Sequence, residues 1–175
     1  MGFIILIVFF LLAIFFYDSL FQRNFRRYNY YKASLYDAKK NKKKLLVVGC
    51  PSSGGVSGKI SYLLNLYGCG DILIDIKKNS KCFNHVSTDL KNFLSVQKDN
   101  SYVIFVSVVL EYIENIDETL IELERVSGGN LYVVPIDIFW ERYFNINLGN
   151  YNKLKRKNLV IKWNPKHNET KYKQF

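Results

Sequence analysis

The sequence predicts an α/β fold: a parallel sheet with helices on both faces, preceded by one N-terminal transmembrane helix. Three observations carry this. An apolar run, Leu45 to Val48, ends abruptly in the cluster Gly49-Cys50-Pro51-Ser52-Ser53-Gly54-Gly55, the pattern of a buried strand turning through a tight loop into a helix. Further short β-branched runs then alternate with stretches of helical periodicity. Finally, Met1 to Tyr17 contains no charged residue.

Charge is distributed unevenly along the chain. The net charge of +10 divides into nine Lys or Arg against one acid over 21–44, eight against twelve over 45–150, and eight against one over 151–175, with Asp18 as the remaining acid. The body of the domain is thus mildly acidic and its flanks basic. That distribution argues against nucleic acid as a partner, since a DNA-binding domain carries its bases on its own elements. The three cysteines, Cys50, Cys69 and Cys82, are an odd set with no small-secreted-domain spacing. They predict buried thiols in a reducing compartment rather than a disulfide, and with His85 they make no zinc-knuckle pattern.

Taken in order, residues 1–21 are expected to form an uncleaved membrane anchor, close to the minimum of about 20 residues for a span. No basic n-region or small-residue cleavage site marks a secretory signal. Arg23, Arg26, Arg27, Lys32 and the run from Lys39 to Lys44 follow it. The positive-inside bias therefore places the N-terminus outside and the domain on the cytoplasmic side. Residues 22–44, where Phe25, Tyr28, Tyr30, Tyr31 and Tyr36, after Phe21, interleave with those bases, read as a juxtamembrane segment touching headgroups and anionic lipid.

The domain itself is expected over 45–175. Strand Leu45–Val48 leads through the glycine loop to a helical stripe of Ile60, Leu63, Leu64 and Tyr67, closed by Gly68-Cys69-Gly70. A second strand is expected over 72–76 with Asp75 embedded in it, and a short third over 83–86. Asp89 then opens a short helix through Phe93 and Leu94, either as its N-cap or as a ligand contact. Tyr102 to Leu110 is the longest β-branched run. An Asn115-x-x-Glu118 capping box opens a helix with Ile116, Leu120, Leu123 and Val126 on one face and a Gly128-Gly129 stop. Leu131 to Pro135 makes a fifth strand, and residues 138–175 have no settled pattern. Glu111 and Tyr112, at the mouth of the fourth strand, either face a substrate or are a solvated acid beside a core tyrosine. Gly58-Lys59-Ile60 misses the phosphate-loop spacing.

In this order the residues resemble the class I S-adenosylmethionine-dependent methyltransferase family, a Rossmann-like fold, over roughly 45–136. The loop L-L-V-V-G-C-P-S-S-G-G is similar to that family's glycine-rich cofactor loop, D-I-L-I-D-I to the strand ending in a ribose-binding acid, and Asp89-Leu90 to the adenine contact. The section S-V-V-L-E-Y-I, E-T-L-I-E-L-E-R-V and G-G-N-L-Y-V-V resembles the family's fourth strand, helix and fifth strand. It also looks like a methyltransferase-like group of large viruses and phages. The resemblance implies S-adenosylmethionine as cofactor, held by Gly49, Cys50, Gly54, Asp75, Asp89 and Leu90, with no catalytic residue assigned. A membrane-borne lipid or protein would be the methyl acceptor. The chain departs from the pattern at Val47, where the family has an acid, and at Pro51, where it has Gly; Pro donates no amide hydrogen and fills space a ligand would use. Two readings therefore stand: a membrane-anchored methyltransferase, and an inactive methyltransferase-like domain kept as a membrane-attached structural or interaction module.

Overall fold

The computed structural model describes residues 2–16, 23–50, 67–76 and 82–134. Helix α1 spans Gly2–Phe16 and α2 spans Arg23–Lys40. Strand β1 (Lys44–Val48) is followed by β2 (Ile72–Ile74) and β3 (His85–Val86). Helix α3 (Leu90–Ser95), β4 (Tyr102–Ser107), a 3-10 turn at Leu110–Tyr112, α4 (Ile116–Ser127) and β5 (Leu131–Val134) complete the order.

The five strands of the described residues are all parallel, in the order β3-β2-β1-β4-β5. The chain starts in the middle, winds outward to β3, then crosses back past β1 to β4 and β5. The sense of winding reverses between β1 and β4, which is the topological switch point of an open α/β sheet. Because side chains alternate across a strand, each face has its own core. Leu46, Val48, Ile74, Ile104, Val106, Leu131 and Val133 face α3 and α4, packing on Leu90, Leu94, Ile116, Leu120, Leu123 and Val126. Leu45, Val47, Leu73, Val103, Phe105, Tyr132 and Val134 pack with Tyr30 and Ala38 of α2 and with Tyr67.

Local chemistry sets the helix ends. Asp89 caps α3 by accepting from the amides of Lys91 and Asn92 at 2.9 and 3.2 Å. Gly128 closes α4 in the left-handed conformation, φ 57° and ψ 39°, where an L side chain is disfavoured. The Arg125 guanidinium ties the two helices together. It donates to the carbonyls of Leu94 and Gln97, each at 2.9 Å, and pairs with Asp99 and Glu122.

Several expectations are corrected. Asn115 makes no side-chain cap bond; Glu118 instead pairs with Lys91 across to α3. The boundary at residue 45 moves toward the N-terminus, because Arg27, Tyr30, Ser34, Asp37 and Ala38 of α2 are buried. The segment read as juxtamembrane is thus a helix of the domain, and Tyr30 lies in the core rather than among headgroups. Cys69 and Cys82 are joined by a disulfide, Cα–Cα 6.0 Å, because the turn into β2 and the approach to β3 bring together residues whose sequence spacing gave no hint of it. The fourth strand stops at Ser107, not Leu110. Val108 takes φ 55°, which turns the chain out of the ladder.

The expected transmembrane span is not obtained. Among the described residues no helix is long and apolar enough to cross a membrane; α1, with 15 residues, reaches about 22 Å of the roughly 30 Å needed. Ile5 to Leu12 are nonetheless all exposed.

Candidate functional site at the carboxyl edge of the sheet

Register builds this site. Val48 pairs with Ile74 and with Val106, so one residue further along the strands Gly49, Asp75 and Ser107 come abreast at the carboxyl edge. Ligands of open α/β sheets lie outside this edge, at the switch point.

Gly49 is buried with φ 94°. A Cβ there would lie 2.6 Å from the Ser107 carbonyl oxygen and 2.7 Å from a Val109 methyl, so only glycine allows β1 and β4 to close up at this corner. The amide of Gly49 donates to the Ile74 carbonyl at 3.0 Å, carrying the ladder one step past the strand. Cys50 follows and is buried. Its amide donates to Asp75 Oδ2 at 2.7 Å, and its carbonyl accepts from the Tyr67 hydroxyl at 3.2 Å.

Behind this corner the Tyr67 ring packs against Phe105 and Tyr31, with centroids 5.5 and 6.2 Å away. The Arg27 guanidinium carbon lies 5.7 Å from the Tyr67 ring centroid, a cation over an aromatic face in a dry setting. α2 therefore braces the first loop through Tyr67. His85 Nε2 lies 3.1 Å from the Asp75 backbone oxygen and Ser87 Oγ donates to the Ile76 carbonyl at 2.9 Å, so β3 steadies the segment carrying the acid.

Ser107 contributes what the sequence reading missed. It is buried, and its Oγ has no hydrogen-bond partner among the described residues. An unmet buried hydroxyl costs on the order of 1–3 kcal/mol, and next to it stands Val108, a β-branched residue at φ 55°. Strain and an unmet polar group together are features concentrated at functional sites. The available signal was the polar residue closing an otherwise apolar strand, Y-V-I-F-V-S, at the switch point.

The remaining candidates fall elsewhere. Asp89 is exposed and engaged as the α3 cap. Leu90 is 5% exposed, and its side chain belongs to the core beneath the sheet. Gly54 and Pro51 lie outside the described residues. Tyr112 is 58% exposed on the turn after β4. The site that the structure brings together is Gly49, Cys50, Asp75 and Ser107.

These features define an open parallel α/β protein with a candidate small-molecule site at its switch point. No protein-family model, curated protein or solved structure matches the chain.

Proposed function

We propose that this chain is a membrane-attached, methyltransferase-like α/β protein that binds S-adenosylmethionine at the carboxyl edge of its sheet. The observation that carries this reading is the row Gly49, Asp75 and Ser107: a backbone with no room for a side chain, a carboxylate, and a buried hydroxyl on three adjacent strands. Gly49 lets β1 and β4 close together at this corner, Asp75 offers an acceptor for the hydroxyls of a ribose, and Ser107 Oγ offers one further hydrogen bond. Methyl transfer from a sulfonium is an in-line displacement in which the protein orients donor and acceptor and excludes water. It therefore asks for positioning more than for a strong base. Exposed apolar residues throughout the described part of α1 support insertion into a bilayer, and the basic residues after it support a cytoplasmic domain.

A second reading has its own observation. Asp71 Oδ2 accepts from the Leu45 amide at 2.7 Å, the same kind of tie that Asp75 makes to Cys50 but at the opposite, amino edge. Both acids then act as fasteners between β1 and β2, and the domain is a structural or interaction module without turnover.

Calorimetric titration of the full chain with S-adenosylhomocysteine separates the two. The full chain is required because α2 is part of the core. Saturable binding in the wild type that is lost in a folded Asp75→Asn protein supports the cofactor site. An absence of binding heat in folded wild type overturns it.

A further inference from the structure

α2 has two chemically different sides. Inward it buries Arg27, Tyr30, Ser34, Asp37 and Ala38. Outward, at helical spacing, stand Phe25, Tyr28, Lys32, Tyr36, Lys39 and Lys40, with Phe25, Tyr28 and Tyr36 exposed by 48, 38 and 64%. The one acid of the helix, Asp37, lies on the buried side, accepting from the Tyr132 hydroxyl at 2.6 Å. The outer stripe therefore carries aromatic rings and positive charge with no carboxylate of α2 among them, and Lys32 Nζ sits 5.5 Å from the Tyr28 ring centroid.

We propose that this outer face of α2 lies against an anionic lipid surface, so that the domain rests on the membrane through α2 with its sheet behind. Aromatic rings settle at headgroup depth and lysines bind anionic headgroups. Here both are fixed in one plane because the opposite side of the helix is locked to the sheet. The occupant is a bilayer rather than a nucleic acid strand because six residues, 17–22, separate α2 from α1, whose described side chains are apolar and exposed. The inference rests on the reading that α1 enters the bilayer.

Tyr36→Cys and Ile121→Cys test the face, each in the full chain held in phosphatidylcholine nanodiscs with and without phosphatidylserine. Ile121 is 61% exposed on α4, across the sheet. Cys50 is buried and Cys69 and Cys82 are bonded to each other, so a maleimide fluorophore reports the introduced thiol. With nitroxide-headgroup lipid, the probe at 36 is expected to be quenched and that at 121 not, and only when phosphatidylserine is present. The triple variant Lys32→Glu, Lys39→Glu, Lys40→Glu should lower the docked-to-undocked ratio on the order of a hundredfold, while the chain still floats with vesicles. Equal quenching at both positions, quenching indifferent to phosphatidylserine, or a response at 36 to a single-stranded oligonucleotide in place of lipid overturns the proposal alone. Failure of the unsubstituted chain to float overturns the reading of α1 and this proposal with it.

Discussion

Asp75 and Cys50 meet across the carboxyl end of β1 and β2, the carboxylate oxygen 2.7 Å from the backbone nitrogen. A hydrogen bond to a charged acceptor contributes about 1.5–3 kcal/mol, less where solvent reaches it. Asp75→Ala should accordingly lower unfolding free energy by about 1–2 kcal/mol. Asp75→Asn, which keeps an acceptor oxygen, should recover most of that loss. Urea melts of the two variants measure it, and a full-sized loss in the Asn protein would show that charge rather than the acceptor holds the corner.

Gly49→Ala is expected to be among the most damaging single-methyl changes in the chain. It combines a positive φ with a Cβ 2.6 Å from the Ser107 carbonyl oxygen, for a cost of about 2–4 kcal/mol. Backbone is what it strikes, so no side-chain rotation relieves it. A midpoint within error of wild type in denaturant would refute the packing described for this corner.

Ser107→Ala should separate stability from ligand binding. Removing a buried hydroxyl that has no partner among the described residues leaves stability unchanged or raises it by about 1 kcal/mol. The same change should weaken S-adenosylhomocysteine binding if that hydroxyl serves the ligand. A destabilised variant would mean that the oxygen is satisfied within the protein.

The Cys69–Cys82 bond closes a segment with a sequence separation of 13 that contains β2 and Asp75. Chain-entropy estimates for such a loop give about 3 kcal/mol. Denatured protein kept from reductant should show one reactive thiol, Cys50, and three after reduction, with a lower melting temperature in the reduced form. Alkylation within intact cells adds a topological reading, because a domain on the cytoplasmic side would be trapped with all three thiols reduced.

Tyr132 gives a pH signature. Burial first, and then the Asp37 carboxylate that accepts its hydrogen bond, raise its pKa well above the ordinary value of 10.0. Above about pH 10 the unfolded chain releases a proton that the native state retains, so this contribution to stability is complete below that pH and is lost as pH rises. The decline approaches about 1.4 kcal/mol per pH unit. Tyr132→Phe should have a shallower fall than wild type over this range in denaturant titrations; identical slopes would count against the buried Tyr132–Asp37 pair.

Much of the fold was legible because local pattern and tertiary role agree. The apolar runs of β1, β4 and β5, the α4 stripe, its Gly128 stop and the Asp89 cap each follow from periodicity or from the conformational needs of one residue. What was not legible depends on contacts between distant residues. Residues 22–44 read as a basic, aromatic juxtamembrane segment, and only the structure reveals a helix there whose Tyr30, Ser34 and Ala38 form a buried side. The disulfide pairs two cysteines whose proximity is created by the β2 and β3 crossings. Ser107 becomes a candidate only when the strand order sets it beside Gly49.

By itself, then, the sequence determined the strands, the helices α1, α3 and α4, the glycine corner and the acid after β2, since these are dictated by side-chain period, β-branching and permitted φ. Tertiary structure alone decided which residues stand abreast at the edge of the sheet, which side of α2 is buried and which cysteines bond. Register and packing bring together groups far apart in the chain, and no local pattern carries that information.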